Sequence, residues 1–312
     1  MPVSQDLKSF GHSISFHSGI SAVMARRQGC SRILMYHGMA AQGAAALTAQ
    51  LRYLARNFKI VSLAAMVDRL AQHSAAAPNE IALTFDDGLR NNFTVVYPVL
   101  RELQVPATFF VCPELIGPGR WLWNHEARCR LQTLGREALD DLRRRLLAPN
   151  ATAEGIVEWI KTLKLQQRSR VEELIRLATP HFRPTSAQSE AYDMMNWDEL
   201  AALDPALITI GSHTLTHPIL TTLTTEEINF ELSESRRQLE QKLAREIPFF
   251  CYPNGSYDER VYQAAKNNYS AALTTETGML SRENEFDLHR LPRIPSAENP
   301  ALTAWRLHRP GA

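Results

Sequence analysis

Seven short apolar segments rich in β-branched and aromatic residues recur along the chain, and amphipathic helical segments separate them. The predicted strands are Ile33–His37, Ile81–Phe85, Ala107–Cys112, Ile208–Ser212, Phe249–Tyr252, Ser270–Thr274 and Leu288–Ile294. The predicted helices between them are Leu47–Asn57, Leu63–Gln72, Asn92–Leu103, Thr225–Ala244 and Glu259–Asn267. Strands that alternate with helices indicate parallel β/α units. Seven such units predict an α/β fold, either a barrel or a barrel that lacks one strand.

Two parts of the chain lie outside this alternation. The segment from about 113 to 189 is helical in character, and we expect it to form an insertion over one rim of the barrel. Near its start, Trp121 and Trp123 either present rings to a sugar or anchor the insertion on the core. Residues 1–30 form a predicted N-terminal helical extension. Its short helix over 19–27 either packs on the domain or touches a membrane surface. We expect one domain over 1–312, with its core at about 32–295.

Polar residues follow several of the predicted strands. His37 ends the first strand, Asp86 and Asp87 follow the second, His213 follows the fourth and Pro253 follows the fifth. In β/α barrels the carboxyl ends of the strands carry the reactive groups. Local secondary-structure propensity does not require this placement, so it independently predicts one shared site at that rim.

Two segments, residues 84–88 (TFDDG) and residues 213–217, supply the groups for a metal site. Residues 213–217, His-Thr-Leu-Thr-His, place two imidazoles four residues apart, and on a helical turn such a pair shares one face and can bind one ion. This spacing alone also occurs in surface histidines. The residues between the two histidines cannot act as a base, but Asp86 and Asp87 supply a third ligand and a base. Side chains alternate along a regular strand, and the turn at Gly88 lets both carboxylates face one site.

Two imidazoles and one carboxylate suit a catalytic Zn²⁺ with an open position, and Co²⁺, Ni²⁺ or Fe²⁺ are alternatives. Such an ion lowers the pKa of a water molecule to about 7. An aspartate can then accept the proton as the water attacks a carbonyl carbon. The sequence therefore predicts metal-assisted hydrolysis.

The two segments, together with residues 250–255 (FCYPNG), resemble motifs of the polysaccharide deacetylases with the NodB homology domain, which form carbohydrate esterase family 4. The resemblance extends from about residue 32 to residue 295. It implies a distorted (β/α)₇ barrel, related to the TIM barrel, and a carbohydrate substrate. It also implies that Asp86 is the catalytic base, and that the backbone N–H of Asn254, after Pro253, faces the oxyanion. The implied metal ligands are Asp87, His213 and His217.

The chain departs from the family pattern at two positions. An arginine usually pairs with the catalytic aspartate, but Cys251 occupies its place here. Arg293, at the end of the last strand, either replaces that arginine or forms a structural salt bridge. The usual Leu-x-His general acid is also off pattern, which leaves two candidates. One is His289, and the other is His37, which we favour because it lies at a strand end of the same rim.

The amino-acid composition limits which partners and which cellular compartment we expect. Lysine and arginine number 34 and acidic residues 33, so the net charge of +1 gives no reason to expect nucleic acid or an anionic membrane surface. The four cysteines form no C-x-x-C pair, so a cysteine-based zinc site is not expected. Their spacing suggests no disulfide framework either, which fits a reducing compartment. No segment has the pattern of a secretion signal or a membrane span. We therefore expect a cytoplasmic protein, with peripheral contact at the inner membrane face as an alternative.

These observations predict a metal-dependent hydrolase that removes N-acetyl groups from a polysaccharide, an oligosaccharide or a lipid-linked saccharide. A hydrolase of the same fold that acts on a non-sugar cyclic amide is one alternative. A catalytically silent saccharide-binding protein is another, although such a protein has no use for Asp86. The particular sugar, the metal and the oligomeric state do not follow from the sequence.

Overall fold

Eight parallel strands form the centre of the molecule. The computed structural model describes residues 5–72, 77–117, 119–281 and 286–311. The strands are β1 (Arg32–Tyr36), β2 (Lys59–Ile60), β3 (Glu80–Phe85), β4 (Ala107–Val111), β5 (Ile208–Ser212), β6 (Phe249–Cys251), β7 (Ala271–Thr277) and β8 (Leu291–Pro295). Seven of them close into a barrel in the order β1-β3-β4-β5-β6-β7-β8, and β8 pairs with β1. The predicted (β/α)₇ barrel is confirmed.

Helices surround the barrel. They are α1 (Gln5–His17), α2 (Ile20–Arg27), α3 (Ala44–Asn57), α4 (Leu63–Ala71), α5 (Tyr97–Leu103), α6 (Trp123–Gln132), α7 (Arg136–Leu146), α8 (Ala153–Ile160), α9 (Leu165–Ala178), α10 (Ser186–Tyr192), α11 (Trp197–Ala201), α12 (Thr225–Leu243), α13 (Glu259–Asn268) and α14 (Pro300–Arg306). Helix α12 begins with a capping box between Thr224 and Glu227. None of the described helices combines the length and the apolar character needed to cross a bilayer.

The predicted strands all occur, but the pattern missed β2, because its two residues pair only with the start of β3 and are too short to show a period. The last strand begins at Leu291 rather than at residue 288. The predicted helix from Asn92 begins as a wide π-helical turn, Asn92–Val96, before α5. Pro98, in the first turn of α5, has no N–H to donate to a regular helical ladder.

The barrel interior is apolar at its amino end and polar at its carboxyl end. Ala82 of β3 and Leu291 of β8 belong to the buried cluster that α4 covers. Side chains two residues apart on a strand share a face. The same faces therefore continue to Thr84 and Arg293, which are fully buried. The interior side chains are thus apolar at the amino end of the barrel, whereas those near the carboxyl rim are polar and form hydrogen bonds.

Helices α6 to α10 lie between β4 and β5, where the insertion was expected, and α6 to α9 enclose an apolar cluster of their own. The N-terminal helices α1 and α2 pack against the C-terminal helix α14. Residues 1–4 of the expected N-terminal extension lie outside the described residues.

Candidate active site

The site lies at the carboxyl rim, in a cavity of about 170 Å³. Several of the residues around it have a positive φ although they are not glycine. They are Asp87 (76°), Thr214 (69°), His217 (57°) and Asn254 (52°). This left-handed conformation costs such residues roughly 1–2 kcal/mol each, so surrounding contacts must impose it. At Asp87 it turns the chain away from the strand, and the two neighbouring carboxylates therefore serve different partners.

Asp86 forms a buried ion pair with Arg293. Two nitrogens of the Arg293 guanidinium, Nη1 and Nη2, donate to Oδ1 and Oδ2 of Asp86 at 2.8 and 2.7 Å. Arg293 also donates to the Thr274 carbonyl and to Thr84 Oγ1, and its Nη2 lies 3.0 Å from the Cys251 sulfur. Burial opposes ionisation of Asp86, but the charge and hydrogen bonds of Arg293 outweigh it and hold the pKa of that carboxyl below its ordinary value.

Asp87 faces the two histidines. Its Oδ1 lies 3.6 Å from His213 Nε2 and 3.5 Å from His217 Nε2. These distances are longer than good hydrogen bonds. Three ligands held at about 2.1 Å around a tetrahedral ion would lie roughly 3.4 Å from one another. The three side chains therefore fit a divalent metal placed between them.

The orientation of His213 also fits a metal ligand. Its Nδ1 donates to the Cys251 carbonyl at 2.8 Å, which leaves Nε2 free to face Asp87. A backbone carbonyl commonly fixes the ring of a ligating histidine in this way. Burial, with His213 close by, lowers the pKa of His217 to about 3, so its ring is in the neutral form that binds metals.

A second group of donor atoms, from Asp86, His213 and Cys251, is also compact enough to surround an ion. It is a poor cation site, because the guanidinium of Arg293 bonds to both Asp86 and the Cys251 sulfur. The single available ring nitrogen of His213 faces Asp87 instead. The Asp87 group has no guanidinium bonded to it in the described part of the chain, and its three donor atoms lie within 4.8 Å of one another.

The segment that carries the two histidines is a loop and not the helical turn expected from their spacing. Thr214 and His217 have positive φ, which no regular helix permits. Glu231 of α12 stabilises the loop, because its carboxylate accepts from the N–H groups of Leu215 and Thr216 at 2.9 and 3.0 Å. Thr216 Oγ1 also donates to Glu231 at 2.6 Å. The imidazoles converge because these contacts bend the loop, and not because of helical periodicity.

The structure separates the two candidates for general acid. His37 follows β1 and lines the cavity. His289 lies before β8, and its Nε2 lies 2.9 Å from the carbonyl of Tyr269, just before β7 begins. Both of these strand starts are at the amino end of the barrel. His289 is therefore at the end opposite the site.

Pro253 and Asn254 lie in the short turn after β6. Asn254 is exposed and lines the cavity, whereas Pro253 is buried beneath it. Gly255 follows with a φ of +68°, and a Cβ there would approach Thr275 Oγ1 to 1.8 Å. This position therefore needs glycine, which keeps Asn254 turned towards the cavity.

The insertion contributes residues that sequence reasoning did not single out. Asn124 and His125 line the cavity. His125 stacks on Tyr192 with ring centroids 4.4 Å apart, and Asn124 Oδ1 is buried with no hydrogen-bond partner within the described part of the chain. Burial, together with Arg128, lowers the pKa of His125 to about 4. The only sequence signal was their position beside the two tryptophans.

Both tryptophans anchor the insertion, which was one of the two expectations. Trp123 is buried and donates from Nε1 to the His217 carbonyl at 2.9 Å. Trp121 is also buried and donates to Asp193 at 2.7 Å. Neither ring is available to a sugar, because both tryptophan side chains are buried.

Comparisons with known proteins agree with this geometry. The family model described as polysaccharide deacetylase matches residues 73–135 and 173–272, slightly more than half of the chain. The unmatched interval falls within the insertion. The putative polysaccharide deacetylase YxkH of Bacillus subtilis (strain 168) is 32% identical over 100 residues, 31% of this chain. The match spans 36% of that protein, about a third of its length.

Solved structures show the same fold. The Streptococcus pyogenes deacetylase PplD, in complex with acetate, matches with a TM-score of 0.58 and 19% identity over 91% of this chain and 98% of that one. IcaB from Ammonifex degensii matches with a TM-score of 0.59 and 16% identity, over 90% and 97% of the two chains. The fold, together with the family match over most of the barrel, leads to one conclusion: this chain belongs to the polysaccharide deacetylase family.

Proposed function

We propose that this protein is a metal-dependent carbohydrate de-N-acetylase. One observation carries the proposal: Asp87, His213 and His217 converge on one point, and Asp86 lies beside them in the same cavity. A divalent ion bound there, most simply Zn²⁺, would activate water and polarise the carbonyl oxygen of an acetamido group.

In this mechanism Asp86 accepts the proton of the attacking water. Arg293 keeps the carboxyl ionised, and each carboxylate oxygen retains a lone pair beyond its bond to the guanidinium. The backbone N–H of Asn254 stabilises the negative charge that develops on the carbonyl oxygen. His37 donates a proton to the leaving amine.

His125 has a different role. With a pKa of about 4 it is neutral near pH 7, so it does not supply the proton. Its ring and the Asn124 carboxamide both face the cavity. We infer that they form hydrogen bonds to the sugar that carries the acetamido group. The unpartnered Oδ1 of Asn124 would then find its donor in a sugar hydroxyl.

One observation favours a second candidate. A cavity of about 170 Å³ is small compared with typical ligand pockets of roughly 300–1,000 Å³. The two tryptophans do not widen it into an aromatic groove. A hydrolase of a small cyclic amide therefore remains the alternative. A silent saccharide-binding protein fits less well, because it would not need the Asp86–Arg293 pair.

The test measures acetate release from N-acetylated mono-, oligo- and polysaccharides, with metal-stripped protein and with Zn²⁺ or Co²⁺ restored. A cyclic amide is assayed in parallel by ring opening. The Asp86→Asn variant is the control, because it should bind metal as the wild type does and lose turnover. Metal-dependent acetate release that this variant abolishes supports the proposal. Ring opening without acetate release would favour the alternative, and metal binding with neither reaction would favour a binding protein.

A further inference from the structure

The N-terminal helices expose a group of large apolar side chains, here called the N-terminal patch. The patch consists of Phe10 (65% exposed), Ile14 (52%), Ile20 (53%), Val23 (41%) and Met24 (44%). The other large apolar side chains found exposed in the described residues are scattered, namely Leu147, Leu177 and Phe230. Clustering of this kind on adjoining helices indicates an interaction surface.

The two helices present these residues in the same way. Ser15 of α1 and Ser21 of α2 are buried, and their hydroxyl groups are 2.8 Å apart. Ile14 immediately precedes Ser15, and Ile20 immediately precedes Ser21. One residue of each apolar set therefore lies about 100° around its helix from the buried serine. The spacing i, i+4 on α1 and i, i+3, i+4 on α2 keeps each set on one side of its helix.

The patch is fixed to the barrel. Arg32, at the start of β1, donates to the carbonyls of Ala25 and Cys30 at 2.8 and 2.6 Å, and to Leu307 after α14 at 2.6 Å. His12 contacts Trp305 of α14, with ring centroids 4.9 Å apart. The buried side of the two helices is thus occupied by the protein itself, and the opposite side is left open.

The chain segment that contains most of the patch is basic. No acidic residue occurs between Asp6 and Asp68, although the whole chain has a net charge of only +1. Arg26 and Arg27, in the last turn of α2, are exposed beside the patch. Helix α14, on which both helices pack, also has no acidic residue. The balanced total therefore conceals a positive region in this part of the chain.

We propose that the N-terminal patch docks the protein on an anionic lipid bilayer. The apolar side chains enter the boundary between headgroups and acyl chains, and Arg26 and Arg27 bind lipid phosphates. Apolar area and positive charge together distinguish this surface from one that would bind a neutral protein partner. The inference does not depend on the proposed activity, because none of the residues that carry it lines the cavity.

The experiment measures co-sedimentation of the full chain with vesicles of phosphatidylcholine, with or without phosphatidylglycerol. We expect binding to the anionic vesicles that weakens as salt is raised. The Ile20→Ser/Met24→Ser variant should bind at least about tenfold more weakly, because two of the inserting side chains are lost. The Arg26→Glu/Arg27→Glu variant should also bind these vesicles about tenfold more weakly, because two positive charges are reversed.

Two control variants match these changes elsewhere on the surface. Leu147→Ser/Leu177→Ser removes two exposed apolar side chains, and Arg136→Glu/Arg170→Glu reverses two exposed charges. Both should sediment with the vesicles as the wild type does. Thermal unfolding of all variants confirms that the fold is kept.

Three results would overturn the proposal. The first is absence of binding to anionic vesicles. The second is equal loss of binding in the control variants, which would indicate general stickiness. The third is a dimer in light scattering that Ile20→Ser/Met24→Ser converts to a monomer, which would make the patch a contact between two copies of this chain.

Discussion

Arg293 is a single buried side chain that connects several residues of the site by hydrogen bonds. Its guanidinium satisfies Asp86, Thr84 and the Thr274 carbonyl together, from a position that is fully buried. A planar fork with five donors can do this, whereas an ammonium cannot. The arginine comes from β8 and not from the β6 position at which Cys251 stands. A charge of the same kind therefore reaches the carboxylate from a different strand.

The Arg293→Lys variant should turn over about 100-fold more slowly while it keeps its metal. Lysine supplies one ammonium, which cannot bond both oxygens of Asp86 and the Thr274 carbonyl. Acetate release and metal titration measure the two effects separately. Arg290→Lys, at a half-exposed position before β8, is the matched control and should behave as the wild type. Unchanged turnover in Arg293→Lys would show that the pair is only structural.

The His37→Ala variant should lose roughly 10²–10³ in turnover with normal metal content, because the leaving amine loses its proton donor. His289→Ala is its control, since His289 lies at the other end of the barrel. Comparison of kcat for the two variants shows which of the two histidines acts as the general acid. A large loss of kcat in His289→Ala, but not in His37→Ala, would assign the general acid to His289 instead.

At the scale of elements, the loop that carries the proposed metal ligands His213 and His217 depends on contacts from three neighbours. Glu231 of α12 accepts from two loop N–H groups, Trp123 of α6 donates to the His217 carbonyl, and the Cys251 carbonyl of β6 accepts from His213. The sequence spacing of the two histidines is therefore only part of what brings them together.

Removing the Glu231 carboxylate should disturb the metal site without touching a ligand. In Glu231→Ala two loop N–H groups lose their acceptor, which we expect to cost about 2–4 kcal/mol of unfolding free energy. Metal affinity should fall about 10–100-fold, as it does when a residue that orients ligands is lost. Urea unfolding and metal titration measure both effects. Glu226→Ala, at an exposed position of the same helix, should change neither quantity.

The insertion is held together by ion pairs that respond to pH. Glu126 of α6 accepts from Arg130 at 2.8 Å and from Arg176 of α9 at 2.9 Å. Burial opposes ionisation of Glu126, but the hydrogen bonds of the two arginines lower its pKa below the ordinary value. Because the folded-state pKa is the lower one, the pairs stabilise the fold above the unfolded pKa of about 4.3. The stabilisation is lost as the pH falls through the folded-state value.

The Glu126→Gln variant should therefore be less stable than the wild type by about 1 kcal/mol near pH 7, and the difference should shrink as the pH falls through the folded-state pKa of Glu126. Urea unfolding at several pH values measures it. Glu137→Gln, at an exposed position of α7, provides the baseline for removing one carboxylate. A difference that does not change with pH would mean that the loss comes from packing and not from charge.

At the scale of the whole molecule, Arg32 joins the N-terminal helices, α14 and the barrel. It is fully buried and has no carboxylate partner among the residues that the structure describes. Its donors bond to backbone carbonyls and to Gln28 Oε1 instead. Burial lowers the pKa of its guanidinium to about 10, which still leaves it charged near neutral pH. The carbonyls it binds include those at the ends of α2 and α14, where cations are favoured.

The Arg32→Met variant should lose about 3 kcal/mol of unfolding free energy, because several buried carbonyls lose their donor. The N-terminal helices should also become sensitive to limited proteolysis before the barrel does. Arg52→Met, at an exposed position of α3, is the control and should resist the protease as the wild type does. Resistance in Arg32→Met would show that contacts with α14 alone hold the helices.

The sequence determined the barrel and its chemical groups. The seven strands carry local signals in their composition, and the motifs at 84–88 and 213–217 contain the proposed metal ligands and the proposed base. Both are properties of neighbouring residues, so they can be read without knowing the fold. The capping box at Thr224 is local in the same sense.

Only the tertiary structure decided which distant groups meet. Arg293 lies 207 residues from Asp86, His125 comes from an insertion with no fixed pattern, and Glu231 bends the loop from another helix. No local propensity encodes such distances, because they follow from how the barrel closes and where the insertion docks. The same holds for the N-terminal patch, since the sequence marks its apolar residues but only packing shows which of them remain uncovered.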